Sequence, residues 1–142
     1  MSTDEQTTIS PTLSAALQDS PHLLSELSCL IIFNEDGQIL LATHTIPDFK
    51  TERFLSLFEN RDEAMINGID FDNDHYDVHR FHPDQGLVYG RMVGVNEGKG
   101  ACLYRIAKPD KSIIFAMFSY ALPTTSARAI PLVQEFLRSS LT

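Results

Sequence analysis

Ala101-Cys102-Leu103-Tyr104-Arg105-Ile106 and Ile113-Ile114-Phe115-Ala116-Met117-Phe118 are two short apolar runs joined by turn residues at Lys108-Pro109-Asp110. Runs of this length, rich in β-branched and aromatic side chains, read as buried strands. Proline and aspartate between them supply the chemistry of a tight connection. Upstream, residues 86–91 (Gly-Leu-Val-Tyr-Gly-Arg) give a further strand, reached across a loop from Gly94 to Gly100. Successive strand runs of this kind point to a mainly antiparallel sheet.

Working outward, Ile69-Asp70-Phe71 and Tyr76-Val78-Arg80 flank an acidic turn at Asp72-Asn73-Asp74. Cys29 to Phe33 and Gln38 to Ala42 flank Asn34-Glu35-Asp36-Gly37, the signature of a hairpin. Between these pairs the period changes. Phe49, Phe54, Leu55, Leu57 and Phe58 mark a helical stripe over residues 48–58, with Asp48 as its cap. Residues 62–66 make a second short helix closed by Asn67-Gly68. Near the start, Ser10-Pro11 and Ser20-Pro21 each place a capping residue before proline, and each opens a short helix. Residues 125–141 put Ala129, Leu132, Val133, Phe136, Leu137 and Leu141 on one helical face, and Pro131 predicts a late start or a kink. Strand runs with helices at both ends predict an α+β fold of about six or seven antiparallel strands. The terminal helices cover one face and the short helices the other. Residues 1–19 are expected to form a flexible extension and residues 20–142 the domain.

The chain has 142 residues, 43% of them hydrophobic and 21% charged, which suits one globular domain and excludes a wholly disordered chain. No uninterrupted apolar run approaches the roughly 18 residues of a membrane span. The start is polar and acidic, and Cys29 and Cys102 both sit in apolar segments, so reduced thiols in a cytoplasmic protein are expected. A net charge of −8 opposes nonspecific nucleic-acid binding. The charge is unevenly divided: residues 1–78 hold 15 acids and three bases, whereas residues 79–142 hold four acids and eight bases. Such polarity suits steering of an acidic protein partner.

Several constellations fail as chemistry. Asp70-Phe71-Asp72-Asn73-Asp74 begins like a calcium loop, but His75 stands where glycine is required and Phe81 where a bidentate glutamate is required. His75, Asp77 and His79 alternate toward one strand face without a second ligand cluster, so no metal is expected. Gly94, Gly98 and Gly100 match no phosphate-loop spacing, and neither cysteine has a foreseeable base. Neither enzymatic activity nor a cofactor is expected.

From residue 59 onward the sequence resembles the C-terminal two-thirds of a profilin. Asn60-Arg61-Asp62-Glu63-Ala64-Met65-Ile66-Asn67-Gly68-Ile69 is similar to the family's helix leading into an Asn-Gly-Leu/Ile turn, and Asp74-His75-Tyr76-Asp77-Val78-His79-Arg80 to its K-Y-x-V-x-R strand. Leu87-Val88-Tyr89-Gly90-Arg91 resembles V-I-Y-G-K, and Gly100-Ala101-Cys102-Leu103-Tyr104-Arg105 resembles G-V-V-I-x-K. Residues 113–118 resemble I-V-I-G-x-Y, with Ala116 in place of glycine. The resemblance implies a profilin-like sandwich and a protein that binds monomeric actin, sequestering it and suppressing spontaneous nucleation. Carried over by position, Met65, Ile66 and Val78 give apolar contact, His75 stands where many members have lysine, and Arg80 and Arg91 match basic positions. Lys99, Arg105 and Arg128 are nearby candidates.

Departures are equally visible. The family's polyproline groove is aromatic, and this chain has no tryptophan. Leu24, Leu40, Phe136 and Leu141 are the apolar candidates for it, which predicts weak or altered binding of proline-rich segments. Phosphoinositide binding is opposed by the overall charge unless the basic half acts alone. The extension and the missing aromatics look most like the profilins of actin-bearing archaea. The alternative is a roadblock- or longin-like scaffold domain, which would dimerise or hold a GTPase, whereas the profilin reading expects a monomer.

Overall fold

The structure, a computed structural model, describes residues 10–44, 46, 49–92 and 98–140. Helix α1 (Pro11–Gln18) starts where Ser10 accepts a bond from the Leu13 amide at 3.2 Å and Pro11 takes the first helical position. Ser20 precedes α2 (Pro21–Glu26) without making a side-chain cap bond. The flexible extension expected over residues 1–19 thus reaches too far, because Leu13 is only 1% exposed and the Ser10 amide donates to the Leu40 carbonyl at 2.8 Å. Residues 1–9 lie outside the described residues.

Strands β1 (Cys29–Asn34) and β2 (Ile39–Ala42) form the expected hairpin. Asn34 Oδ1 accepts from the amides of Asp36 and Gln38, and Gly37 takes a φ of +86°, which its missing Cβ permits. The helix expected over residues 48–58 is shorter: α3 is Thr51–Leu55, and Asp48, its expected cap, lies outside the described residues. Ser56 helps end it, its hydroxyl donating to the carbonyls of Glu52 and Arg53. Helix α4 (Arg61–Asn67) is capped by Asn60, which accepts from the Glu63 amide at 3.0 Å, and leaves through Gly68 at φ +69°.

Strands β3 (Ile69–Phe71) and β4 (Asp74–His82) are joined by Asp72 and Asn73, both at positive φ, as a two-residue hairpin turn demands. After a single 3₁₀ turn at Pro83–Gln85 come β5 (Leu87–Arg91), β6 (Lys99–Ala107) and β7 (Ile113–Ala121). Helix α5 (Ser126–Ser140) closes the described chain. It does not start late: it begins at Ser126 and continues through Pro131, whose missing N–H removes one intrahelical bond.

The seven strands form one antiparallel sheet in the order β2-β1-β7-β6-β5-β4-β3. One face is covered by α1, α2 and α5, with Leu13, Leu23, Val133 and Leu137 against Leu30, Cys102 and Phe118. The opposite face carries a second core in which Phe54 and Phe58 meet Phe33, Phe115 and Met117. Phe33 and Phe115 stack with centroids 5.3 Å apart. Each fully buried side chain of this size contributes about 1.5–3 kcal/mol. The two buried cysteines fall on different faces, Cys29 in the second core and Cys102 beneath the terminal helices. Among the described residues no helix is long and apolar enough to cross a membrane.

Candidate functional site

The helical cover stops short of the β4–β5 end of the sheet and leaves a groove of about 510 Å³ beside the start of α5. Its floor and walls include Arg80, Tyr89 and Arg91 from the outer strands, Tyr120 and Leu122 from the end of β7, and Ser126 from α5. The presence of Arg80 there depends on an irregularity. Strict alternation along β4 would put Arg80 on the side of Tyr76 and Val78, both buried in the second core. The pairing instead runs Val78 with Gly90 and then Arg80 with Tyr89, so His79 is an extra residue that turns Arg80 to the Tyr89 side. Arg91 shares that side, two residues along from Tyr89. Among the described residues neither arginine forms an ion pair; Arg80 donates to the His79 carbonyl at 3.1 Å.

The same sheet face continues toward α4. Asp77 is the cross-strand partner of Arg91, and His75 lies two residues before it on the same side. The His75 ring sits between two carboxylates, with Nδ1 2.7 Å from Asp70 and Nε2 3.6 Å from Asp77. It also lies against the exit of α4: a methyl group built on Gly68 would fall 2.8 Å from its Cε1. Met65 and Ile66 on α4 are 37% and 81% exposed. His75, Asp77, Arg91 and Arg80 thus share one side of the sheet, which meets the exit of the helix that carries Met65 and Ile66.

Of the other expected contacts, Val78 and Arg105 lie away from this side, whereas Lys99 and Arg128 lie at or near the groove and are engaged in ion pairs. Val78 is 3% exposed and packs in the second core, because it keeps the alternation that Tyr76 begins. Lys99 lines the groove and is ion-paired to Asp74, tying the start of β6 to the start of β4. Arg105 projects from the opposite face, its guanidinium 4.2 Å above the Phe58 ring and donating to the Pro83 carbonyl at 2.8 Å. Arg128 sits on α5 but pairs with Glu26 at 3.1 Å and so fastens α5 to α2. Tyr89, Tyr120 and Leu122 escape the sequence reading. Tyr89 lies within the V-Y-G-R stretch, whereas nothing local marks Leu122, which is 65% exposed beside the groove.

The Glu26 contact has a measurable consequence. Thr124 donates to its carboxylate at 2.6 Å, and this bond together with Arg128 holds the carboxyl below its usual 4.5 despite opposing desolvation. A carboxyl lowered in the folded state stabilises fully above the unfolded value and loses that contribution as pH falls through the lowered one. Glu26→Gln should therefore reduce the acid-side loss of thermal stability, measured by unfolding scans between about pH 7 and about pH 3. Parallel curves for variant and wild type would contradict this assignment.

Of the expected polyproline residues that are described, Leu24 alone is well exposed. Phe136 is 6% exposed and belongs to the core beneath α5, and Leu40 packs against that same core beside α1. Leu24 is 49% exposed, and Leu141 lies outside the described residues.

No family model and no curated protein matches the sequence. Among solved structures, LokiProfilin1 in complex with rabbit actin aligns with a TM-score of 0.60 at 14% identity, covering 92% of this chain and 95% of that one. LokiProfilin1 alone gives 0.59 at 17% identity, with 92% and 96% covered. LokiProfilin2 in complex with rabbit actin gives 0.59 at 13%, with the same coverage. The fold is that of a profilin.

Proposed function

We propose that this chain is a non-enzymatic protein that captures monomeric actin through the face running from α4 to the start of α5. The supporting observation is that this face gathers Arg80 and Arg91 at one groove, free of intramolecular ion pairs among the described residues, on a fold shared with proteins solved bound to actin. Arginine suits the carboxylates of an acidic partner, since its planar fork donates two parallel bonds. A monomer held this way is withheld from nucleation. Among the described residues, Leu24 and the half-buried Leu40 are the candidates that proline-rich segments would meet, and weak binding of them is expected.

Direct titration with actin monomers tests the reading. Saturable one-to-one binding, a chain that sediments as a monomer, and a longer lag before filaments form are the expected results. Unchanged polymerisation with both rabbit and cognate actin would overturn it. A stable homodimer would redirect attention to a scaffold role.

A further inference from the structure

The two edges of the sheet are treated differently. At the β2 edge the Ser10 amide donates to the Leu40 carbonyl at 2.8 Å, so the chain entering α1 lies against that strand. At the other edge, among the described residues, no strand lies beyond β3. The two-residue turn at Asp72-Asn73 makes Phe71 and Asp74 a hydrogen-bonded pair, and Asp70 with His75 the next, non-hydrogen-bonded one. The Asp70 N–H and C=O therefore point away from β4. No other main-chain group among the described residues bonds to either.

Two hollows adjoin that edge on the α3 side. One, of about 480 Å³, reaches Leu57 and Ala64; the other, of about 340 Å³, reaches Ile46 and Phe49. Arg53, Phe54 and Asp70 line both, so the hollows meet at the middle of β3. Arg53 is exposed and forms no ion pair among the described residues, so no salt bridge ties α3 to Asp70 across the cleft. Alternation sets the two sides of the strand. Ile69 and Phe71 are buried in the second core, whereas the Asp70 carboxylate lies on the opposite side, 62% exposed and 2.7 Å from His75 Nδ1.

We propose that β3 accepts an extended peptide of the pattern apolar–basic–apolar as an added strand, centred opposite Asp70. The central residue exchanges two main-chain bonds with Asp70, and its side chain falls on the Asp70 side, where a base is favoured. Its two neighbours turn to the α3 side, roughly 7 Å apart, one for each hollow. A second copy of β3 is a poor occupant, since antiparallel pairing about this point sets Asp70 against Asp70. A charge by itself would only guard the edge. Here the paired hollows also give alternate side chains of an incoming strand somewhere to go. The site is separate from the Arg80–Arg91 groove and does not depend on the capture of actin.

A labelled pentapeptide, Thr-Val-Lys-Val-Thr with blocked ends, is the probe, titrated into the full chain. Saturable binding is expected, with hydrogen exchange of the Asp70 amide slowed by the peptide. Glutamate at the peptide's centre should weaken binding about fivefold at low salt. An N-methyl group on the central lysine amide, which removes the donor to the Asp70 carbonyl, should weaken it about tenfold. Asp70→Lys changes an exposed residue, so it should fold and should reverse the preference between the lysine and glutamate peptides. If that variant does not fold, the peptide comparisons on the wild-type chain decide. No saturable binding, or equal binding of the N-methylated and parent peptides, would overturn the proposal. Equal affinity for the lysine and glutamate peptides would overturn it as well. So would slower Asp70 exchange on raising the protein concentration alone, which would assign the edge to a second copy.

Discussion

Gly90→Ala should cost about 3 kcal/mol or more of folding stability, placing it among the severe single substitutions. A Cβ on Gly90 would lie 1.6 Å from the Asp77 carbonyl oxygen and 2.9 Å from the Val78 Cα, both backbone atoms that no rotamer change can move. The close approach adjoins the bulge at His79, so relief would require β4 and β5 to separate where the chain turns Arg80 toward the groove. Gly98→Ala is the matched control. Its added methyl meets the Leu122 side chain at 3.0 Å, an exposed group able to swing aside, and should cost under about 1 kcal/mol. Urea unfolding of the two variants measures the contrast. Similar midpoints would mean that the β4–β5 contact is looser than described.

Reversing both arginines, as Arg80→Glu with Arg91→Glu, should lower actin affinity by about 100-fold or more and should flatten its salt dependence. Two attractive pairs become two repulsive ones, and about 2.8 kcal/mol suffices for that factor. Neither side chain supports the fold by an ion pair among the described residues, so the double variant should keep its thermal stability. Arg105→Ala and Arg128→Ala should behave oppositely. They remove a guanidinium stacked on Phe58 and a pair with Glu26, so they should lower stability modestly and leave actin binding near wild type. Isothermal titration alongside thermal unfolding separates the two classes. Equal loss of affinity from Arg105→Ala would extend the binding surface to the far face of the sheet.

What local pattern determines, the sequence displays. The apolar runs at 29–33, 101–106 and 113–118 became strands buried on both faces, and Asn34 to Gly37 and Asp72-Asn73 became turns, because hairpin chemistry and short continuous apolar runs act over a few residues. The order of elements, and through it the profilin fold, followed from these. The site was only half legible. Val78 looked like part of a contact surface until the buried position of Tyr76 fixed which way it faces. Arg80 reaches its groove only because His79 is inserted, and one extra residue leaves no mark on hydrophobicity. Arg105 and Arg128 were misplaced for another reason. Their partners, Phe58 and Glu26, lie far away in the chain, and charge counting does not distinguish an engaged guanidinium from a free one.

The placement of one cysteine in each core makes the two layers separately observable. Burial pushes both thiols up from their ordinary range, so neither is a ready nucleophile while its layer stays shut. An alkylating reagent consequently times two different events: loosening of the short-helix side exposes Cys29, and lifting of the terminal helices exposes Cys102. With each thiol retained alone, the chain carries its own stopwatch for which half of the sandwich breathes first, and for whether an occupied partner face slows one half more than the other.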